Sequence, residues 1–279
     1  MTTVIIAAHD EEAVLGACLD AVLRDGCVAP ADVIVSANGC TDDTAAVALE
    51  RGVRVVDRAD AGKADALNAA EAIADSFPRI YLDADIRVPP GTLSTLESML
   101  TRPGTLIAVP RRRVVTAGRP WPVRAYFAIN TRLPVFDSGV FGRGVIAVSA
   151  EGRARFGLFP PVVADDLFLD AQFADREKAV ADVEVDVAAP YTTRALVERL
   201  IRVRRGNSQL RAQSRSGGIT GTVRPTGRWD WLRIVARNPR LIAAVAPYVA
   251  ITLLAARGAS RSGSTVAWSS DATTRAVVA

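Results

Sequence analysis

The strongest constraint on this chain is the alternation of short apolar runs with helical patterns through its first hundred residues. "TVIIAA" (3–8) precedes a stretch from Glu12 to Leu23 in which Val14, Leu15, Cys18, Leu19 and Val22 recur at helical spacing. "DVIVSA" (32–37) leads into "TDDTAAVALERG", where Thr41 is placed to cap a helix and Gly52 to stop it. A strand "VRVVD" (53–57), a helix over 63–74, a strand "RIYLD" (79–83) and a helix over 91–100 continue the pattern. The repetition predicts an α/β fold, a Rossmann-like, mostly parallel sheet covered by helices on both faces. Ligands of such sheets bind beyond the carboxyl ends of the strands. Here those ends read "AAHDEE", "SANGCTDD", "VVDRADAGK" and "LDADI", polar and rich in acids.

After "TLIAVP" (105–110) the alternation breaks. "RRRVVTAGRPWPVRAYFAINTRL" reads as a loop and one irregular helix, and "FDSGVFGRGVIAVS" as a glycine-rich turn entering a strand. A helix near Asp165, a strand over 178–188 and a long basic helix over Thr193–Gln213 follow. "LIAAVAPYVAITLLAA" (241–256) is uncharged for 16 residues. As a helix it spans about 24 Å, short of the roughly 30 Å hydrocarbon core of a bilayer. Pro247 interrupts it, and Trp229 and Trp231 precede it among arginines. Two readings stand, an element at a membrane interface and a short buried helix. The expected organisation is a domain over 1–213, divided at residue 110, a basic and apolar membrane-associating segment over 214–258, and a flexible tail over 259–279.

Charge is distributed unevenly. From Arg194 onward the chain carries 15 arginines and 3 acids, whereas residues 1–193 hold 19 basic and 27 acidic residues. The acidic front suits a metal and the basic rear suits phosphate or an anionic membrane surface. No helix-turn-helix, finger or RNP-like signature accompanies the basic half, so nucleic acid is not expected as a partner. Arginine outnumbers lysine 32 to 2, which makes arginine counts alone weak pointers to phosphate recognition. Cys18, Cys27 and Cys40 lack CxxC spacing and read as reduced thiols. The opening "MTTVIIAAHDEE" lacks a basic n-region and reads as a first strand, giving a cytoplasmic expectation, to which the C-terminal segment adds the alternative of peripheral attachment to the inner face of the cell membrane.

In "IYLDADIRVPP", Asp83 and Asp85 stand one residue apart where an apolar run ends. A turn before Pro89–Pro90 accounts for them, and so does a divalent cation that relieves their repulsion. "VVADDLFLD" offers two more adjacent acids, Asp165 and Asp166, either as a helix's first-turn acids or as a general base. Asn38–Gly39 reads as a turn, and Gly62–Lys63 opens a helix whose lysine could face phosphate, nearby acids or solvent.

In this order and at these distances, "VIIAAHDEE", "VSANGCTDDTA", "GKADALNAA", "LDADI", "DSGVFGRG" and "ADDLFLDAQF" resemble the glycosyltransferases of family 2, which use the GT-A nucleotide-sugar fold. The resemblance runs from residue 3 to about residue 213. It implies a metal-dependent, inverting transfer of a single, hexose-type sugar in cell-envelope polysaccharide or glycolipid synthesis. The donor is expected to be a UDP-sugar, with GDP- and dTDP-sugars as alternatives, and the acceptor a glycan or a lipid-linked sugar. Mg²⁺ or Mn²⁺ would be held by Asp85, with Asp83 on the ribose or on the metal through water. Ala8, Glu11, Asn38 and Asp42 would line the nucleotide pocket, and Lys63 would face the diphosphate. Many members have an acid where Asn38 stands, which leaves the base open. Asp166 would take the acceptor's proton, with Asp165 where a glutamate is usual. His9 is the only histidine, so no downstream histidine is available to the metal. "RLIRVRRGN" falls where processive synthases carry Q/RxxRW, but Val203 replaces the tryptophan, against processive synthesis; Arg202 and Arg205 are candidates for the leaving diphosphate. Two other classes fit the sequence less well. A nucleotidyltransferase needs a glycine-rich loop after the first strand, where "AAHDEEA" stands, and a non-catalytic binding module would not need both acidic pairs.

Overall fold

The computed structural model describes residues 2–162, 164–217, 221, 223–224, 227 and 229–261. Its elements run β1 (Thr3–Ala8), α1 (Glu12–Arg24), β2 (Val33–Asn38), α2 (Thr44–Leu49), β3 (Arg54–Arg58), α3 (Lys63–Glu71), β4 (Arg79–Asp83) and α4 (Thr92–Leu100). There follow β5 (Ile107–Val115), α5 (Trp121–Asn130), α6 (Val135–Ser138), β6 (Val145–Val148), α7 (Ala150–Arg153), α8 (Asp165–Ala171) and β7 (Lys178–Ala188). Three helices end the described chain: α9 (Thr193–Arg215), α10 (Asp230–Arg237) and α11 (Ile242–Arg261).

The strands form one seven-stranded sheet in the order β3-β2-β1-β4-β6-β5-β7, parallel except for β6, which runs against both β4 and β5. Alternation along β1 explains how the sheet is covered. Val4 and Ile6 face one side, packing with Leu15 and Leu19 of α1 and Leu93 and Leu96 of α4. Ile5 faces the other, with Leu67 of α3 and Phe168 of α8. Each fully buried side chain of this kind contributes roughly 1.5–3 kcal/mol.

Two expectations are corrected. The strand predicted over 105–110 continues to Val115, through residues read as loop. After a register shift at Pro110–Arg111 the arginines alternate in direction. Arg111 pairs with Asp182 at 2.8 Å and Arg113 with Asp186 at 2.6 Å on β7, so opposite charges across two strands sustain the pairing. Nor does Thr41 cap α2. Its N–H donates to Asp10, and the helix starts at Thr44, whose N–H donates to Asp42.

α11 is a helix on the surface of this domain. Ala244, Tyr248 and Ile251 join Tyr126 and Ile129 of α5 and Leu196 of α9 in a third core cluster. The stretch Pro239–Arg261 is long and apolar enough to cross a membrane, and 28% of its most apolar 18 residues are buried against the rest of the chain. Along the 241–256 run one face packs on α5 and α9 and the other is exposed. The tail expected to be flexible lies, beyond Arg261, outside the described residues.

A buried ion pair fixes the rear of α8. Asp170, 2% exposed, accepts from Lys178 at 2.8 Å and from the Val140 N–H at 3.0 Å. Asp170→Ala leaves the buried Lys178 ammonium with only the exposed Asp175 carboxylate, 3.5 Å away, and should cost about 3–5 kcal/mol in urea unfolding. A loss under 1 kcal/mol would show that the pair is not structural.

Candidate functional site

The site grows from the carboxyl end of β4. The Asp83 N–H donates to the Gly144 carbonyl at 2.9 Å, joining that end to the turn before β6. Gly144 has φ +73°, and a Cβ there would come within 2.5 Å of Ile86. Glycine is therefore required where the two chains approach. Lys63 at the start of α3 reaches Asp83 at 3.0 Å and Asp165 at 3.1 Å. Asp166, next along α8, accepts N–H bonds from Gly142 at 2.8 Å and from Leu167 at 2.7 Å. Lys63, Asp83, Asp165, Asp166, Gly142 and Gly144 line one narrow cleft of about 40 Å³.

Electrostatics follow from this crowding. Burial works against the charge of Lys63, yet Asp165, Asp83 and Asp166 outweigh it and hold the ammonium well above the ordinary lysine range. The Asp165 carboxyl is pushed up to about 6, chiefly by burial, which the attraction of Lys63 only partly offsets while Asp166 and Asp83 add repulsion. Burial also raises Asp166, against the pull of Lys63 and the Gly142 N–H. Asp85 is exposed beside the cleft rather than lining it. The thiol of Cys18 registers its position, since burial pushes it up first and Asp85, Asp83 and Glu11 push it further. Asp83 and Asp85, separated only by Ala84 at the end of β4, carry hard oxygen donors of the kind that Mg²⁺ and Mn²⁺ prefer.

The crevice at β2 is built differently. Asn38 is fully buried, its amide donating to the Ala8 carbonyl at 2.9 Å while its Oδ1 accepts the Gly62 N–H at 2.8 Å. It therefore braces the turn that delivers Lys63, and neither end of its amide is directed to a ligand. Ala8 is likewise buried framework. Asp42 accepts from the backbone N–H groups of Glu12 and Thr44, and these bonds with the Thr44 hydroxyl hold it below the usual carboxylate range although burial opposes them. Glu11 donates its N–H to the Thr44 hydroxyl at 2.8 Å.

The Glycosyl transferase family 2 profile matches residues 3–148. The chain belongs to that family. An uncharacterized glycosyltransferase of Mycobacterium tuberculosis is 31% identical over 144 residues, covering 48% of this chain and 63% of that protein, and one of Mycobacterium bovis matches to the same extent. The matched segment thus spans less than two thirds of these relatives. Among solved structures, a mannosyltransferase from Pyrobaculum calidifontis in complex with GDP-Man and Mn²⁺ superposes with a TM-score of 0.58 at 20% identity, over 94% of this chain and 76% of that one. Glucosyl-3-phosphoglycerate synthase from Mycobacterium tuberculosis, with Mn²⁺, UDP and glucosyl-3-phosphoglycerate, gives 0.57 at 23% identity, over 82% and 88%. The fold is GT-A.

Within this family 2 domain, the residues expected at the site separate into three groups. Lys63, Asp83, Asp165 and Asp166 come together, and Lys63 meets acids of β4 and α8 rather than those following β2. Asn38 and Ala8 lie beneath the site as supports. Arg205 is turned away: its guanidinium donates to the Gly258 carbonyl of α11 at 2.8 Å, so the helix packing claims it. Arg202 is half-buried on α9. Sequence reasoning missed Arg112, which bonds the Gly142 carbonyl at 3.3 Å and stacks on Phe136 at 3.9 Å. Burial, together with Arg143 and Arg199, brings it down to about 10. The available signal was strand alternation, which sends Arg112 to the face opposite Arg111 and Arg113.

The raised Asp165 has a consequence for metal-free, donor-free protein. Below about pH 3.8 the carboxyl is protonated folded or unfolded. Between there and about 6 the folded state keeps a proton that the unfolded chain releases, so this contribution to stability is lost as pH rises through that window. Asp165→Asn should flatten that part of the pH–stability curve measured by urea unfolding. An unchanged slope would contradict the assignment.

Proposed function

We propose that this protein is a metal-dependent, inverting glycosyltransferase that moves one sugar from a nucleotide-sugar donor to a glycan or lipid-linked acceptor. The observation that carries the reading is the convergence of Asp83, Asp165 and Asp166 around the Lys63 ammonium in one cleft. Support also comes from the family, and from neighbours of the same fold crystallised with Mn²⁺ and with GDP-Man or UDP.

Asp85 and Asp83 would hold the divalent cation, whose role when bound is to neutralise charge on the departing diphosphate. The protein's own part is proton handling and orientation. Asp166 is fixed by two backbone N–H bonds. Its burial-raised pKa makes it a stronger base than an exposed aspartate. It takes the proton of the acceptor hydroxyl as the acceptor oxygen bonds to the anomeric carbon, and the bond from that carbon to the diphosphate oxygen breaks. Attack opposite the leaving group inverts the configuration. Lys63 and Asp165 position the two carboxylate-bearing elements against each other. Glu11, Asp42 and Arg202 remain proposed donor contacts, with a UDP-sugar the first donor to try and a cytoplasmic site, peripheral to the membrane, the proposed location.

Calorimetry with UDP, GDP and dTDP, each with and without Mn²⁺, identifies base and metal together. One nucleotide should bind markedly tighter with Mn²⁺, and no metal-dependent binding of any would overturn the reading. Asp166→Asn should keep that binding while lowering transfer about 10²–10⁴-fold. Turnover near the unmodified level would remove Asp166 from its role.

A further inference from the structure

A second, larger cavity of about 420 Å³ lies between the end of β5, α5 and the beginning of α11, and shares no lining residue with the acidic cleft. Val114, Trp121, Phe127 and Leu241 give it apolar walls, while Arg124 and Arg240 add two guanidiniums. Both arginines are exposed, and neither has a carboxylate partner among the described residues. An open cavity of this size, with both apolar and polar walls and two guanidiniums, suits the phosphate and the adjoining chain segment of one amphiphile.

The surface around it has the same dual character. Trp121 is 57% exposed at the cavity, and Ile242, Leu253 and Leu254 lie exposed along α11. On α10, Trp231, Ile234 and Val235 pack inward while Arg233 and Arg237 are exposed. Residues 216–261 hold seven arginines and a single acid, Asp230. Exposed apolar side chains among cations, with almost no anions, match the interface of an anionic bilayer. A two-fold second copy would set this arginine-rich surface against itself. Free phosphate would need the guanidiniums but not the apolar walls.

We infer that this cavity binds an anionic membrane phospholipid, its phosphate between Arg124 and Arg240 and its chain between α5 and α11, so that α10 and the outer face of α11 lie on the bilayer. This goes beyond the reading of the acidic cleft and does not depend on it.

The test is co-sedimentation of the full chain with phosphatidylcholine vesicles, with and without phosphatidylglycerol. Binding should require the anionic lipid. The double variant Arg124→Gln/Arg240→Gln should weaken it by about tenfold or more, whereas Arg102→Gln/Arg194→Gln, an equal charge change elsewhere, should not. Equal binding to neutral vesicles, indifference to the Arg124/Arg240 change, displacement by millimolar inorganic phosphate, or a stable dimer in place of vesicle binding would each overturn the inference. Nucleoside diphosphate calorimetry on the same double variant keeps the two questions apart, because donor binding should be unchanged.

Discussion

The Lys63 ammonium is the contact on which the rest of the site depends. Asp83, Asp165 and Asp166 come from two elements far apart in sequence, and bringing them into one cleft without a cation would set carboxylate against carboxylate. A charge pair at 3 Å is worth about 5 kcal/mol gross at an effective dielectric near 20, from which the burial of the ammonium must be subtracted. A compact ammonium suits a bridge between two separate carboxylates, whereas a planar guanidinium favours bidentate contact with one. That preference is telling in a chain with 32 arginines and two lysines. Both lysines are spent on acids of the "ADDLFLD" segment, Lys63 on Asp165 and Lys178 on Asp170.

Beneath this contact lies a layer of hydrogen bonds that fixes the backbone. Arg143, 5% exposed, donates to the carbonyls of Gly139, Pro110 and Phe136, so one planar side chain shapes the loop before β6. That loop presents the Gly142 N–H to Asp166. Asn38 does the same for the Gly62–Lys63 turn. Site geometry therefore rests on neutral and cationic donors placed one step behind the acids, where burial makes an unmade hydrogen bond expensive.

Much of this was legible in the sequence, for identifiable reasons. The strands at 3–8, 79–83 and 178–188 and the helices beginning near Glu12, Lys63 and Asp165 follow from composition and periodicity, because the central strands are continuous apolar runs buried on both faces and a helix such as α1 buries a regular stripe. The acid-rich strand ends pointed to the cleft. What escaped were features decided by partners distant in sequence. Arg111–Val115 reads as loop until the acids of β7 are set beside it. Asn38 reads as a turn or a ligand contact, and only packing against Ala8 and Gly62 makes it a brace. Arg205 reads as a phosphate ligand until α11 arrives to claim it. In α10 the inward residues Trp231, Ile234 and Val235 stand at helical spacing, but eight residues are too few for that pattern to mark a helix before α5 and α11 lie beneath it.

β7 has one further property. Among the described residues it ends the sheet, with β5 as its sole neighbour, and is eleven residues long. A terminal strand of that length could template pairing with other chains. Its exposed positions are Asp182, Glu184 and Asp186, and all three already engage arginines of β5. The row of carboxylates that holds the strand to its own sheet also makes its outer rim a poor substrate for strand addition, so the same charges that secure folding guard against polymerisation.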